Sequence, residues 1–209
     1  MMKFFDNASI LGAESFFRRD LINSLSGYKS LNLIGTRNKD GKTNLSPFSQ
    51  VFHIGATPPL VGVLFRPNSV ARHTLEYILD TGYFTLNHVT EEFFRQAHQA
   101  AARYEESEFE ATGIEKIDKE GFFAPFVAKS PVQVGCKLVE SQTLQVNGTV
   151  LVIASIELLF VDEEGLRPDG SLDLNKLGTV TVSGLDEYHV GKKIARLSYP
   201  KPGKELEEI

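Results

Sequence analysis

At 209 residues the chain is long enough for one large domain to bury a self-sufficient core, and 42% hydrophobic with 23% charged residues is the balance of an ordinary globular protein. Twenty-two Lys and Arg against 27 Asp and Glu leave a net charge of −5, which argues against non-specific nucleic-acid binding, a task that needs a basic surface. The single cysteine excludes an internal disulfide framework and a cysteine-clustered metal site, and no apolar run approaches the roughly 20 residues of a membrane-spanning helix, so neither nucleic acid nor membrane is expected as a partner.

The opening MMKFFDNASILG is interrupted by Asp6 and Asn7 and does not read as a secretory leader; the cytoplasm is the expected location. Glu14 to Ser26 reads as a helix, because Phe17, Leu21 and Leu25 recur every four residues, Phe16 and Ile22 widen the stripe, and Gly27 supplies a left-handed stop. That stripe is expected to lie against a sheet. Leu31 to Thr36 alternates as a strand, and Asn38 to Lys42 (NKDGK) carries an Asp-Gly hairpin signal, so the region of Ser46 lies on a returning strand. Pro58 and Pro59 end that strand or begin the next, and Leu60 to Phe65 is a short apolar run of buried-strand type. Asn68 or Ser69 can cap a helix running to Asp80 with Gly82 as terminator, which places Arg72 and Thr74 in its first turns.

Tyr83 to Val89 alternates again. Thr90 caps a second helix with Phe93, Ala97, Ala100 and Tyr104 on one face, and Glu91 and Glu92 suit its N-terminal dipole. The run EESEFEATG gives a third, short helix ending near Gly113. From Val132 onward the pattern is all strand: Val132, Val134, Cys136 and Leu138 alternate, Asn147-Gly148 is the strongest hairpin turn in the chain, and Val150 to Val161 returns. Within that alternation Cys136 reads as core packing rather than a nucleophile. Two hairpin-rich halves around a helical middle, with no repeat and no linker, predict one domain over residues 1–209 built as a closed or partly closed β-barrel, since closure removes exposed strand edges. The tail KPGKELEEI reads as a frayed, solvated end.

The chemistry concentrates between Thr43 and Thr74. A strand that only packs does not spend so many positions on hydroxyls and amides, which compete with the ladder's own hydrogen bonds. Ser and Thr hydroxyls, backbone N–H groups and Arg forks beside a helix start are instead what a terminal phosphate needs. Ser46 and Ser49 read equally as hydrogen-bond donors to a ligand and as strand-end chemistry. For Arg66, Asn68, Ser69, Arg72 and Thr74 the alternative is a capped surface helix with solvated arginines. The chain has no GxGxxG after a strand, no P-loop and no GxSxG elbow, and its histidines lack HExxH spacing, so nucleotide domains, esterase chemistry and a metal site are not expected.

In order along the chain, the strand ending in Thr36, DGKTNLSPFS, PPLVGV, ARHT, YILDTGYFTLN, EFEATGI and, more loosely, GLDEY and RLSYPKP resemble the flavin reductase-like family of the FMN-binding split barrel, close to its flavoredoxin branch. The resemblance implies a mainly β fold with helices, a split β-barrel of antiparallel Greek-key strands, assembled as a homodimer that binds FMN noncovalently near the subunit interface. It implies that Asn44, Leu45, Ser46, Pro47, Phe48 and Ser49 run along the flavin ring and ribityl chain. Arg66, Asn68, Ser69, Arg72, His73 and Thr74 would hold the phosphate, with Arg72 and Thr74 in the place of the family's basic-x-Thr element, and Thr36 would border the ring. For Thr36 a plain strand-end hydroxyl is the alternative. NADH or NADPH would be the electron donor; in the flavoredoxin variant a redox partner protein takes that role. Tyr28-Lys29-Ser30 stands where many relatives carry a proline-containing element. Tyr188 and His189 are in position to reach the flavin face or to pack at the core or dimer contact, and residues 185–209 form an extension or dimer arm.

Overall fold

The structure, a computed structural model, describes residues 1–68, 70 and 72–209. Two short helices, α1 (Asn7–Gly12) and α2 (Ser15–Ser24), precede strands β1 (Lys29–Ser30), β2 (Asn32–Arg37), β3 (Thr43–Phe48), β4 (Val51–Ala56) and β5 (Pro59–Phe65). Helix α3 (His73–Thr81), strand β6 (Tyr83–His88), helices α4 (Phe94–Gln99) and α5 (Glu108–Thr112), and the short strands β7 (Lys116–Ile117) and β8 (Phe126–Val127) form the middle. The long hairpin β9 (Val132–Thr143) and β10 (Val150–Val161) comes next, then β11 (Val180–Ser183) and β12 (Glu187–Val190). No helix among the described residues is long and apolar enough to cross a membrane.

Seven strands pair in the order β3-β2-β6-β9-β10-β5-β4, every pair antiparallel. In a flat sheet the six spacings of that order would hold β3 and β4 about 29 Å apart. Only Ser49 and Gln50 join them, a reach of about 10 Å. The sheet therefore curls until its two ends meet, and the β3–β4 junction is the open seam of a barrel with Greek-key connectivity.

Alternation along the strands feeds two cores. In β2, Ile34 points into the barrel with Phe65, Phe84, Cys136 and Val152, whereas its neighbour Leu33 points outward with Leu45, Val89, Phe93, Phe109 and Val180 under α4 and α5. Both faces of β2 are thus buried. The backbone also closes tightly at Gly35, where a Cβ would stand 2.3 Å from the Pro125 carbonyl oxygen and 2.7 Å from Thr85 Oγ1. Cys136 is fully buried, as its alternation predicts, and burial pushes its thiol far up.

Several boundaries differ from the sequence reading. Glu14 is the cap of α2, its carboxylate accepting the Phe16 and Phe17 N–H groups, but no residue of α2 is buried; Phe16 is 65% and Leu25 70% exposed. An amphipathic period says that a face wants covering and not which surface covers it. Helix α3 starts at His73 rather than near Asn68, which is exposed and outside the helix; Ser69 lies outside the described residues. The Glu76 carboxylate, one turn into the helix, reaches back to accept the N–H of the N-cap residue Arg72 at 3.0 Å, while Gly82 (φ 79) closes the helix as expected. Helix α4 begins past Phe93, because Thr90 is drawn into a bridge with Thr179, and Val180 N–H bonds the Val89 carbonyl. The tail is not frayed: Leu197 bridges Glu208, and Arg196 pairs with Asp169.

Candidate functional site

The hydroxyl-rich strand and the start of α3 meet. Asn44 lies on β3, 6% exposed, and its Nδ2 donates to Thr74 Oγ1 at 2.9 Å and to Thr36 Oγ1 at 3.3 Å. This one side chain ties the strand to the helix's first turn. Beyond it Ser46, Pro47, Phe48 and Ser49 are half-buried along the seam, with the Phe48 ring edge-on to Phe65 at 4.8 Å. Arg72, half-buried, donates Nε to the Pro67 carbonyl at 3.1 Å, which fixes the fork's plane and leaves its terminal nitrogens free of protein partners among the described residues. Among the described residues no side chain caps α3, and none claims the N–H groups of its first turn.

These residues line a cleft of about 540 Å³, the size of a site for a small organic cofactor. Its lining includes Arg66, Arg72, His73 and Thr74. Ala100 to Tyr104 and Glu108 from the α4–α5 region, with Leu185 and Tyr188 from the β11–β12 hairpin, complete it. Among its lining residues Tyr188 Oη and His98 Nδ1 are 2.6 Å apart, and partial burial with Asp186 nearby pushes the Tyr188 phenol up. Glu108, 8% exposed, accepts the Leu45 N–H at 3.0 Å, and Thr43 Oγ1 and Ser107 Oγ bond at 2.9 Å, which pins α5 to the strand.

The cleft thus gathers Asn44, Ser46, Pro47, Phe48, Ser49, Arg66, Arg72, His73 and Thr74 from the expected set. Three others lie elsewhere. Thr36 is fully buried with its hydroxyl accepting from Asn44, so it supports the site from behind rather than bordering it. Leu45 points into the outer core, because strand alternation turns it away from Asn44 and Ser46, and its N–H is taken by Glu108. Asn68 is exposed and does not line the cleft. Tyr188 lines it, whereas His189 bonds Ser183 Oγ at 2.8 Å and stacks edge-on to Tyr28. Arg103, Tyr104 and Glu108 were not legible as site residues, since only the fold brings the α4–α5 region to β3. Among the described residues no group of three His, Cys, Asp or Glu could hold a metal ion.

Chemically the cleft is graded. Two arginines and a helix start suit a phosphate, Asn44 and the serines suit a polyol, and Phe48, Leu64 and Phe65 offer an apolar surface for a ring. The donor set therefore fits FMN. A sequence profile described as the flavin reductase like domain matches residues 28–175. A split-barrel protein of flavin reductase type from Shewanella frigidimarina is 48% identical, with 95% of this chain and 100% of that one covered at a TM-score of 0.92. Flavoredoxin of Desulfovibrio vulgaris is 26% identical over 94% of this chain and 97% of its own, with a TM-score of 0.72. The 2-nitrobenzoate 2-nitroreductase of Pseudomonas fluorescens shares the fold at a TM-score of 0.81 and 20% identity, over 97% of this chain and 99% of its own.

Proposed function

The chain belongs to the flavin reductase-like family, and from that membership we propose that it binds FMN in the β3–α3 cleft and works as an NAD(P)H-dependent oxidoreductase that passes electrons to a flavin or another acceptor. The observation that carries this reading is the Asn44–Thr74 bond, which holds the polar strand and the cationic helix start on one cleft. Arg72 and Thr74, with Arg66, His73 and the α3 N–H groups, anchor the phosphate; Asn44, Ser46 and Ser49 orient the polyol and ring edge; Phe48 lies against the ring. When bound, the flavin supplies the capacity to take two electrons and a proton from a reduced nicotinamide and pass them on. The protein's part is to position the cofactor and keep its phosphate end neutralised, which calls for no carboxylate pair or triad.

The working unit is a homodimer. In the single chain, β4 carries exposed Phe52 and Ile54, and the α2 stripe Phe16, Phe17, Ile22 and Leu25 faces solvent, apolar surface of the kind that a second copy can cover. Light scattering is expected to give twice the mass of the chain; a monomer at working concentrations would contradict this part. For the oxidoreductase activity, anaerobic addition of NADH and then NADPH to FMN-loaded protein is expected to bleach the flavin bands with at least one of them. A second reading, favoured by the likeness to flavoredoxin over nearly the whole chain, is an electron carrier reduced by a partner protein. Retained flavin that neither nicotinamide reduces would select it.

A further inference from the structure

We propose that Glu108 reads a hydroxyl of the polyol chain of the bound flavin, making it a specificity-determining residue of the cleft; this rests on the FMN reading above. Glu108 is 8% exposed, yet among the described residues its carboxylate enters no ion pair and accepts one hydrogen bond, from the Leu45 N–H on Oε2, which leaves Oε1 without a protein donor. As an acceptor-only group, a carboxylate with one of its oxygens unengaged by protein has lone pairs left for a ligand's donors. Glu108 is among the residues that line the cleft.

Its place in the network selects the donor. Leu45 is the residue after Asn44, and Asn44 bonds Thr74 at the helix start, so Glu108 sits one residue step and two hydrogen bonds from the anion end. A phosphate directly against it is excluded by like-charge repulsion. Next to the phosphate along such a ligand comes a chain of hydroxyls, each a neutral donor able to make a short charge-assisted O–H···O⁻ bond to the free Oε1.

The test replaces Glu108 by Gln, whose amide oxygen keeps the Leu45 bond while an NH2 donor takes the place of the free acceptor. The variant and the wild-type protein are titrated with FMN, riboflavin and lumiflavin, which lacks the polyol. FMN and riboflavin are expected to bind about tenfold more weakly or worse, the scale of a lost hydrogen bond to a charged group, with lumiflavin unchanged. Equal losses for all three ligands, or none, overturn the proposal. Should Glu108→Gln fail to fold, Glu108→Asp, which keeps the charge but withdraws the oxygen by one methylene, carries the same expectation and the same refutation. Wild-type protein that binds no flavin overturns the parent reading; normal wild-type binding with an indifferent variant overturns only this one.

Discussion

Replacing Arg72 by Ala is expected to weaken FMN and leave riboflavin almost untouched. The Nε of Arg72 is engaged by the Pro67 carbonyl at 3.1 Å, so of its five N–H donors the four on the terminal nitrogens remain for a ligand. A hydrogen bond to a charged group contributes about 1.5–3 kcal/mol, which is roughly a 10- to 150-fold change in Kd. Binding persists because Arg66 and the start of α3 stay in place. Riboflavin has no phosphate and loses nothing through this contact. Flavin fluorescence titrations of both ligands, at low and high salt, supply the assay: the wild-type preference for FMN shrinks with salt and the variant's does so less. Arg72→Lys restores charge without the fork and is expected to fall between the two. Equal losses for FMN and riboflavin would mean that Arg72 acts only by packing the Pro67 turn, and an unchanged FMN affinity would remove it from the phosphate site.

Thr74→Val keeps the shape but removes the acceptor of the 2.9 Å Asn44 bond, leaving a buried amide with only Thr36 at 3.3 Å; a stability loss of about 1 kcal/mol is expected in urea unfolding, together with weaker FMN binding, and a variant as stable and as tight as wild type contradicts the tie. Gly35→Ala drives a Cβ to within 2.3 Å of the Pro125 carbonyl oxygen, so a fall in melting temperature of about 5 °C or more is expected from overpacking; unchanged melting would show that this contact relaxes freely. Burial pushes His88 down from 6.5 to about 4. The folded state thus disfavours its protonation, stability is full above pH 6.5, and up to about 3 kcal/mol is lost as pH falls from there towards 4. A His88→Asn variant is expected to lack that part of the acid slope, and identical slopes would contradict it.

Local signals carried most of the architecture. The Asn147-Gly148 turn and the strand Val150 to Val161 were legible because turn chemistry and alternation are both local, and Gly82 and Gly113 marked helix ends through their left-handed backbone. The helix start was less legible. Asn68 has the right chemistry for a cap, but the Glu76 carboxylate reached back to the Arg72 N–H and fixed the start later. At the site, residue type alone did not separate Asn44 and Ser46 from Leu45 between them; strand alternation did, once β3 was placed on the seam. Glu108 was illegible because its role depends on a contact 63 residues away in sequence, made only when α5 docks on β3. The stripe of α2 announced a buried face and left its covering open, since periodicity carries no information about which chain supplies the other side.

The central claim is tested most directly by an absorbance titration of the purified protein with FMN. The account predicts saturable binding of one FMN per chain, with shifted and resolved flavin bands as the ring leaves water for Phe48 and its neighbours, and with FMN preferred over riboflavin. Flavin bands that stay those of free FMN at every protein concentration would contradict it.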